Sequence, residues 1–422
     1  MTKHTRTACL VTSIAMTLVP ASAALIADST EGRTWYVGTS GTDAVHGGFS
    51  EALPFRTIKR AIDVAQDGDT IQIAAGTYYP QNTLDIGGPK GDQAAHIINF
   101  QSIHFVGAVD ENGDPATIIS GSGGSSGSRP VAGLFYITHN HFKENQCTFS
   151  NLVLQEAESR AIWSWGTAII SNSVIRNNEL RGLYGENFIV DHSIFEGNEF
   201  DIVAMGDVWV EDCDFLGGEC GISLFEWYED QDDVWPDYAE IRNCFFTQYD
   251  RSAVKIYREH SALLENLDIR DNPGDGIQAN SRTQIVDCVI SSNGGSGIVT
   301  DNEYAGAQYE GTTEEGCRID SCTITNNGAF GIEDLGGDML DTTRNEGMEV
   351  SNSVICGNHT AQVFGGFYLR AGTYDYRRQW NHDNQESLHW FNYWKGTNNN
   401  VSRRCSVPGR GNHPMGPNPF NW

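Results

Sequence analysis

Cations are scarce in this chain. Its 422 residues hold 27 Lys and Arg against 55 Asp and Glu, a formal net charge of −28. So acidic a surface has little with which to neutralise phosphates, which argues against a nucleic-acid partner. Proline is scarce as well, 12 residues against 46 Gly, so the glycines point to many tight turns rather than to disorder. Long hydrophobic runs are missing: nothing approaches the roughly 20 apolar residues of a membrane helix, and no membrane partner is expected. Paired C-x-x-C spacing is also missing from the ten cysteines, which excludes the common zinc patterns.

What the chain does have begins at its start. A basic head, MTKHTR, precedes an apolar run from Ala8 to Val19 and the small-residue stretch PASAA. This is the pattern of a secretory signal, expected to occupy residues 1–23 and to be removed after Ala23, sending the protein outside the cell or into a periplasm. Nine cysteines then remain, an odd number, expected to be mostly core thiols with one or two disulfides.

The strongest signal is an internal repeat. The segments SNLVL at 150, SNSVI at 171, DHSIF at 191, EDCDF at 211, RNCFF at 242, ENLDI at 265, VDCVI at 286, DSCTI at 320 and SNSVI at 351 align. Their second residues, Asn151, Asn172, His192, Asp212, Asn243, Asn266, Asp287, Ser321 and Asn352, are spaced by 21, 20, 20, 31, 23, 21, 34 and 31 positions. Each unit reads as a polar bend, two inward apolar residues, a turn and a short strand near Gly-Ile. Asn178, Asn198, Asn272, Asn293, Asn327 and Asn358 recur at the turn, and stacking the units about 4.8 Å apart would let their amides bond from coil to coil. The position after the bend is small, and Cys213, Cys244, Cys288 and Cys322 share it as core filler.

These repeats resemble the right-handed parallel β-helix of the pectin-lyase-like superfamily over roughly residues 33–364. The opening segment TWYVGTSGTDAVHGGFSEALPFRTIKRAIDVAQDGDTIQIAAGTYY is similar to the N-terminal entry of secreted β-helix proteins. The resemblance implies an all-β solenoid over 24–364, with a capping helix near Ile58 to Ala65, and a non-repetitive tail over 365–422 that packs on or caps it. A monomer acting on a polysaccharide is expected.

Strand alternation identifies the outward side chains. With Ile162, Leu183, Ile202, Ile222, Val254, Ile277, Ile298 and Ile332 inward, one outward column is Trp163, Tyr184, Val203, Ser223, Lys255, Gln278, Val299 and Glu333. A second is Trp165, Glu186, Met205, Phe225, Tyr257, Asn280, Asp301 and Leu335. The three long coils insert their extra residues after this strand, near Glu226, Asn302 and Gly336, so these loops would wall a cleft. Trp163, Trp165, Tyr184, Phe225 and Trp227 are candidate sugar platforms, and Gln278, Asn280 and Arg282 candidate hydrogen-bonding groups.

Lys255, Tyr257, Arg258 and His260 cluster in KIYREH and are the candidate catalytic group. Asp301 and Glu333, with the acidic loop residues Asp230, Asp232 and Asp233, are candidate calcium ligands.

Relatives of this fold cleave uronate polymers by β-elimination, some with a Lys or Arg base, so the resemblance implies a polysaccharide lyase. The proton beside a uronate carboxylate becomes removable once a cation such as Arg258 or calcium neutralises that carboxylate. The RxPxxR motif of classical pectate lyases is absent, as are the paired-Asp and GHG signatures of polygalacturonases. The alternatives are a glycoside hydrolase using Glu186 with Glu226 or Asp301 with Glu333, and a non-catalytic carbohydrate-binding or surface protein.

Overall fold

The computed structural model describes residues 32–80, 94–99, 101–123, 131–138, 145–225, 238–257, 260–280, 282–300, 317–335, 349–364, 369–371, 374–376 and 400–402. Among them, 31 strands join in one continuous sheet whose neighbours pair in parallel, coil upon coil. This is the expected solenoid.

The nine bend residues explain the repeat. All of them have positive φ, from Asn151 at 59° through His192 at 45° to Asn352 at 49°. Asn and Asp tolerate this left-handed conformation better than other non-glycine residues, because a short polar side chain can bond locally. A second corner follows five residues later and has the same hand, at Asn177, Gly197, Asp271, Ser292, Asn326 and Gly357. Two fixed corners leave only a three-residue strand between them, such as Val174–Arg176. Each coil is thereby forced to turn in the same way.

The residue after the second corner forms the asparagine stack. Asn178 Nδ2 donates to Asn198 Oδ1 at 2.9 Å, Asn272 to Asn293 at 2.8 Å, Asn293 to Asn327 at 2.9 Å and Asn327 to Asn358 at 2.9 Å. The same oxygens accept backbone N–H groups from the neighbouring coil, as from Asn178 N and Asn327 N, both at 3.0 Å. Buried polar backbone at the corner is thus satisfied.

The stack is broken in two adjacent coils. Gly218 and Tyr249 hold the asparagine position there and pair with each other in the ladder. A Cβ at Gly218 would lie 2.1 Å from Asn198 O, and its φ is 150°, so only glycine fits. Tyr249 is wholly buried, and its hydroxyl reaches past the Gly218 coil to donate to Asp201. Asp201 also accepts Asn198 Nδ2 at 2.8 Å. Burial pushes this carboxyl up to about 8, against the opposing pull of its Tyr249 and Asn198 hydrogen bonds.

Inward apolar residues fill the interior. Ile162, Leu183, Ile202, Ile222, Val254, Ile277, Ile298 and Ile332 are all at zero exposure. Phe195, Phe215 and Phe246 stack face to face, with centroids 4.9 and 4.5 Å apart. The small column beside them is buried too, and its hydroxyls and thiols bridge coils: Ser173 N donates to Ser193 Oγ at 3.2 Å, and Ser193 N to Cys213 Sγ at 3.4 Å. Among the described residues seven cysteines are buried thiols outside any disulfide, namely Cys147, Cys213, Cys220, Cys244, Cys288, Cys317 and Cys322, while Cys356 is disulfide-bonded. Burial raises the Cys147 and Cys220 thiols to about 12. These seven thiols should resist a maleimide in the native protein and react only on unfolding, a result a mass-resolved labelling series checks.

The helix Ile58–Val64 is where it is expected, capped by Thr57, whose hydroxyl accepts Arg60 N at 3.2 Å. It buries Ile58, Ala61 and Ile62 against the first coil. The coils extend beyond the readable repeat at both ends. Thr34–Val37, Thr70–Ile73, His104–Gly107 and Gln146–Ser150 continue the ladder toward the N-terminus. Asn400–Ser402 adds a strand on Val354–Cys356 beyond the point where the sequence pattern fades. Among the described residues no helix is long and apolar enough to cross a membrane.

Candidate active site

Ladder register fixes the outer face coil by coil. Trp163 pairs with Tyr184, then Val203, Ser223, Lys255, Gln278, Val299 and Glu333 follow in line. Tyr136 precedes this column and Phe364 continues it. Phe225, Thr300 and Leu335 come at the end of the same strand in their coils, and the three long insertions follow them in the sequence. Trp227, Arg258, Asp301 and Glu226, with Asp230, Asp232 and Asp233, lie outside the described residues.

Lys255 sits on this face between Ser223 below and Gln278 above. It is half-buried, and its Nζ lies over the Tyr257 ring, 4.5 Å from the centroid. Phe225 meets the Tyr257 ring edge-on at 5.5 Å. The Lys255 amino group is therefore held against an aromatic face that is itself braced by Phe225. Gln278 donates to Asp275 Oδ2 at 3.1 Å, Asp275 Oδ1 accepts Ser296 N at 2.7 Å, and Ser296 Oγ donates to Glu333 Oε2 at 2.7 Å. A polar chain thus runs upward along the face from Gln278, the ladder neighbour of Lys255, to Glu333.

One residue of the expected catalytic group and one expected hydrogen-bonding residue lie elsewhere. His260 is 1% exposed, and burial lowers its imidazole to about 4. It is neutral at ordinary pH and faces inward. The reason is local: the strand ends at Ile256 and the chain turns before His260, whose N–H donates to Tyr257 O, so alternation no longer applies. Asn280 is buried as well. Its amide donates to Tyr257 O at 2.6 Å and His260 O at 2.8 Å, while its oxygen accepts Arg282 N and Thr283 Oγ1, both at 2.9 Å. Asn280 braces the turn that carries Tyr257 and has no donor left for a sugar. Arg282 follows in the same turn. Of the expected calcium ligands, Glu333 is engaged by Ser296, and among the described residues no three His, Cys, Asp or Glu side chains gather as metal ligands do.

The aromatic end of the face is also differently built. Trp163 packs with Tyr136 at 4.6 Å, Trp165 at 5.9 Å and Tyr184 at 6.1 Å. The Arg160 guanidinium lies 4.4 Å from the Trp163 centroid and 4.8 Å from that of Tyr184, and Arg181 lies 4.7 Å from Tyr184. Tyr184 is 7% exposed, so it supports the two arginines rather than offering a bare ring to a sugar. Arg160 and Arg181 pair with each other in the ladder, two residues before Ile162 and Leu183. Strict alternation would turn them inward with Ile162 and Leu183; consecutive buried residues, Ala161 with Ile162 and Gly182 with Leu183, break the period there.

Comparisons with known proteins agree with this architecture. A family described as "Right handed beta helix region" matches residues 228–346, and one described as "Protein of unknown function (DUF1565)" matches residues 39–196. No curated protein sequence matches. Among solved structures, the complex of XylC with xylose is similar at 10% identity and a TM-score of 0.50, covering 76% of this chain and 75% of that one. Pectate lyase Pel9A is similar at 16% identity and TM-score 0.45, covering 79% and 77%. The A-module of the Azotobacter vinelandii mannuronan C-5 epimerase AlgE4 is similar at 17% identity and TM-score 0.42, covering 73% and 90%. With its parallel coils, left-handed corners and asparagine stack, the chain folds as a right-handed parallel β-helix.

Proposed function

We propose that this is a secreted, polysaccharide-active protein, and specifically a lyase that cleaves a uronate-containing polymer by β-elimination with Lys255 as the base. The observation that carries the reading is Lys255 itself, a half-exposed amine in the outward column with the Tyr257 ring against it. The uncharged amine takes the proton from the carbon beside the uronate carboxylate. The electron pair left behind forms a double bond to the next ring carbon, whose bond to the glycosidic oxygen breaks, and solvent protonates the departing sugar. Lys255 becomes an ammonium during this step, and a ring face 4.5 Å away stabilises charge that is absent at the start. Arg258 would hold the carboxylate. One structural neighbour was solved with xylose; for this chain the reading rests on Lys255.

The test is a screen of the protein against pectate, alginate and glycosaminoglycans, with calcium and with a chelator, because Asp301 and Glu333 are the carboxylates expected to hold that ion. Products of elimination absorb in the near ultraviolet. Cleavage without that absorbance would overturn the lyase reading and move the chemistry to paired carboxylates.

A further inference from the structure

We propose that Arg181, with Arg160, forms a remote carboxylate subsite on the same face, which binds a uronate three coils away from Lys255. This assignment rests on the polyuronate reading of that face and names what would hold the far end of the substrate. From Arg181 the ladder runs through Phe200 and Cys220 to Ser252, in the coil that carries Lys255. Three steps of about 4.8 Å separate the two centres by roughly 14 Å along the axis. A pyranose repeat is about as long as one such step, so a chain lying along the axis would present one sugar per coil.

The chemistry is that of a prepared anion fork. Both guanidiniums lie against aromatic rings, Arg160 at Trp163 and Tyr184 and Arg181 at Tyr184. A ring face holds a guanidinium flat without using its N–H edge, the edge that grips a carboxylate with two hydrogen bonds. Side-chain freedom is already restricted before a ligand arrives. In a chain with 55 acidic residues, Arg181 is paired with no carboxylate among the described residues, although Arg242, Arg251 and Arg270 all are. Trp163 adds a buried indole Nε1 with no hydrogen-bond partner among the described residues. Its N–H is suited to a sugar hydroxyl or a carboxylate oxygen.

Calorimetric titration of the full chain with uronate oligosaccharides of two, four and seven units, and with neutral xylo-oligosaccharides of the same lengths, tests the subsite. In Arg181→Met, which keeps bulk and removes the charge, Kd for the seven-unit uronate should rise about tenfold, as expected for one charge-assisted contact. The two-unit uronate, too short to span both centres, should bind as it does to the wild type. The neutral sugars should show no difference between the proteins. A seven-unit uronate that binds Arg181→Met and Arg160→Met as tightly as the wild type would overturn the subsite. Long uronates that bind with Arg181 dependence but are not cleaved would instead overturn only the lyase assignment.

Discussion

Replacing Lys255 with Ala should lower turnover by roughly 10²–10⁴-fold, the usual worth of a positioned proton acceptor. Folding should hardly change, because Lys255 stands on the outer face with its neighbours Val254 and Ile256 turned inward. The thermal midpoint should therefore match that of the wild type. Tyr257→Leu separates the roles further. It removes the ring face beside Nζ while keeping an apolar body against Phe225, so the rate should fall with little change in KM. If Lys255 were an ordinary solvated charge, Lys255→Ala would cleave at nearly the wild-type rate, and product absorbance at saturating substrate decides between the two.

Asp201→Asn should make the protein more stable at pH 7.5 and remove part of its pH dependence. Asp201 is buried with a carboxyl raised to about 8, against 3.8 for the free group. Between those values the folded state holds a proton that the unfolded state releases, so this residue makes stability fall as pH rises from about 4 to about 8. The slope approaches about 1.4 kcal/mol per pH unit within that window. Asparagine reproduces the protonated acid: its oxygen can accept Asn198 Nδ2, and its amide can donate to the Tyr249 oxygen. Urea midpoints at pH 5 and pH 7.5 should converge in the variant relative to the wild type. Equal pH dependence in both proteins would show that Asp201 does not carry the proton. Tyr249→Phe should destabilise the fold at either pH, because it leaves one end of the Asp201 carboxyl buried without its hydrogen-bond partner.

Much of this architecture could be read from nine polar residues. Asn151, His192, Ser321 and the rest look unlike one another as side chains, yet they share one backbone conformation, and the 20- to 34-residue spacing traces it. The outward column was legible for the same reason, since strand pairing keeps Trp163, Lys255 and Glu333 in line whatever loops intervene. Legibility ended where strands ended. His260 and Asn280 follow the last residues of their strands, where the chain turns inward and hydrogen bonds to backbone decide orientation. The Asp201 and Tyr249 pair was hidden because its partners are 48 positions apart and replace the motif rather than repeat it. The first coils were hidden by their irregular lengths: Thr70–Ile73 pairs with strands on either side that no common motif marks.

The placement of the long insertions bears on how such a protein changes over generations. Coils that differ in length by more than ten residues pair in the same register, Leu224 with Ile256 and Ala279 with Thr300, because the long insertions follow the same strand in the sequence. Lengthening a loop at that corner adds an entropic term that grows only with the logarithm of its length. It disturbs neither the left-handed corners nor the asparagine stack. Selection can therefore rewrite the segments between Phe225 and Tyr238, or between Thr300 and Cys317, almost independently of the stem that supports them. The scaffold is conservative by construction, and its specificity is free to drift.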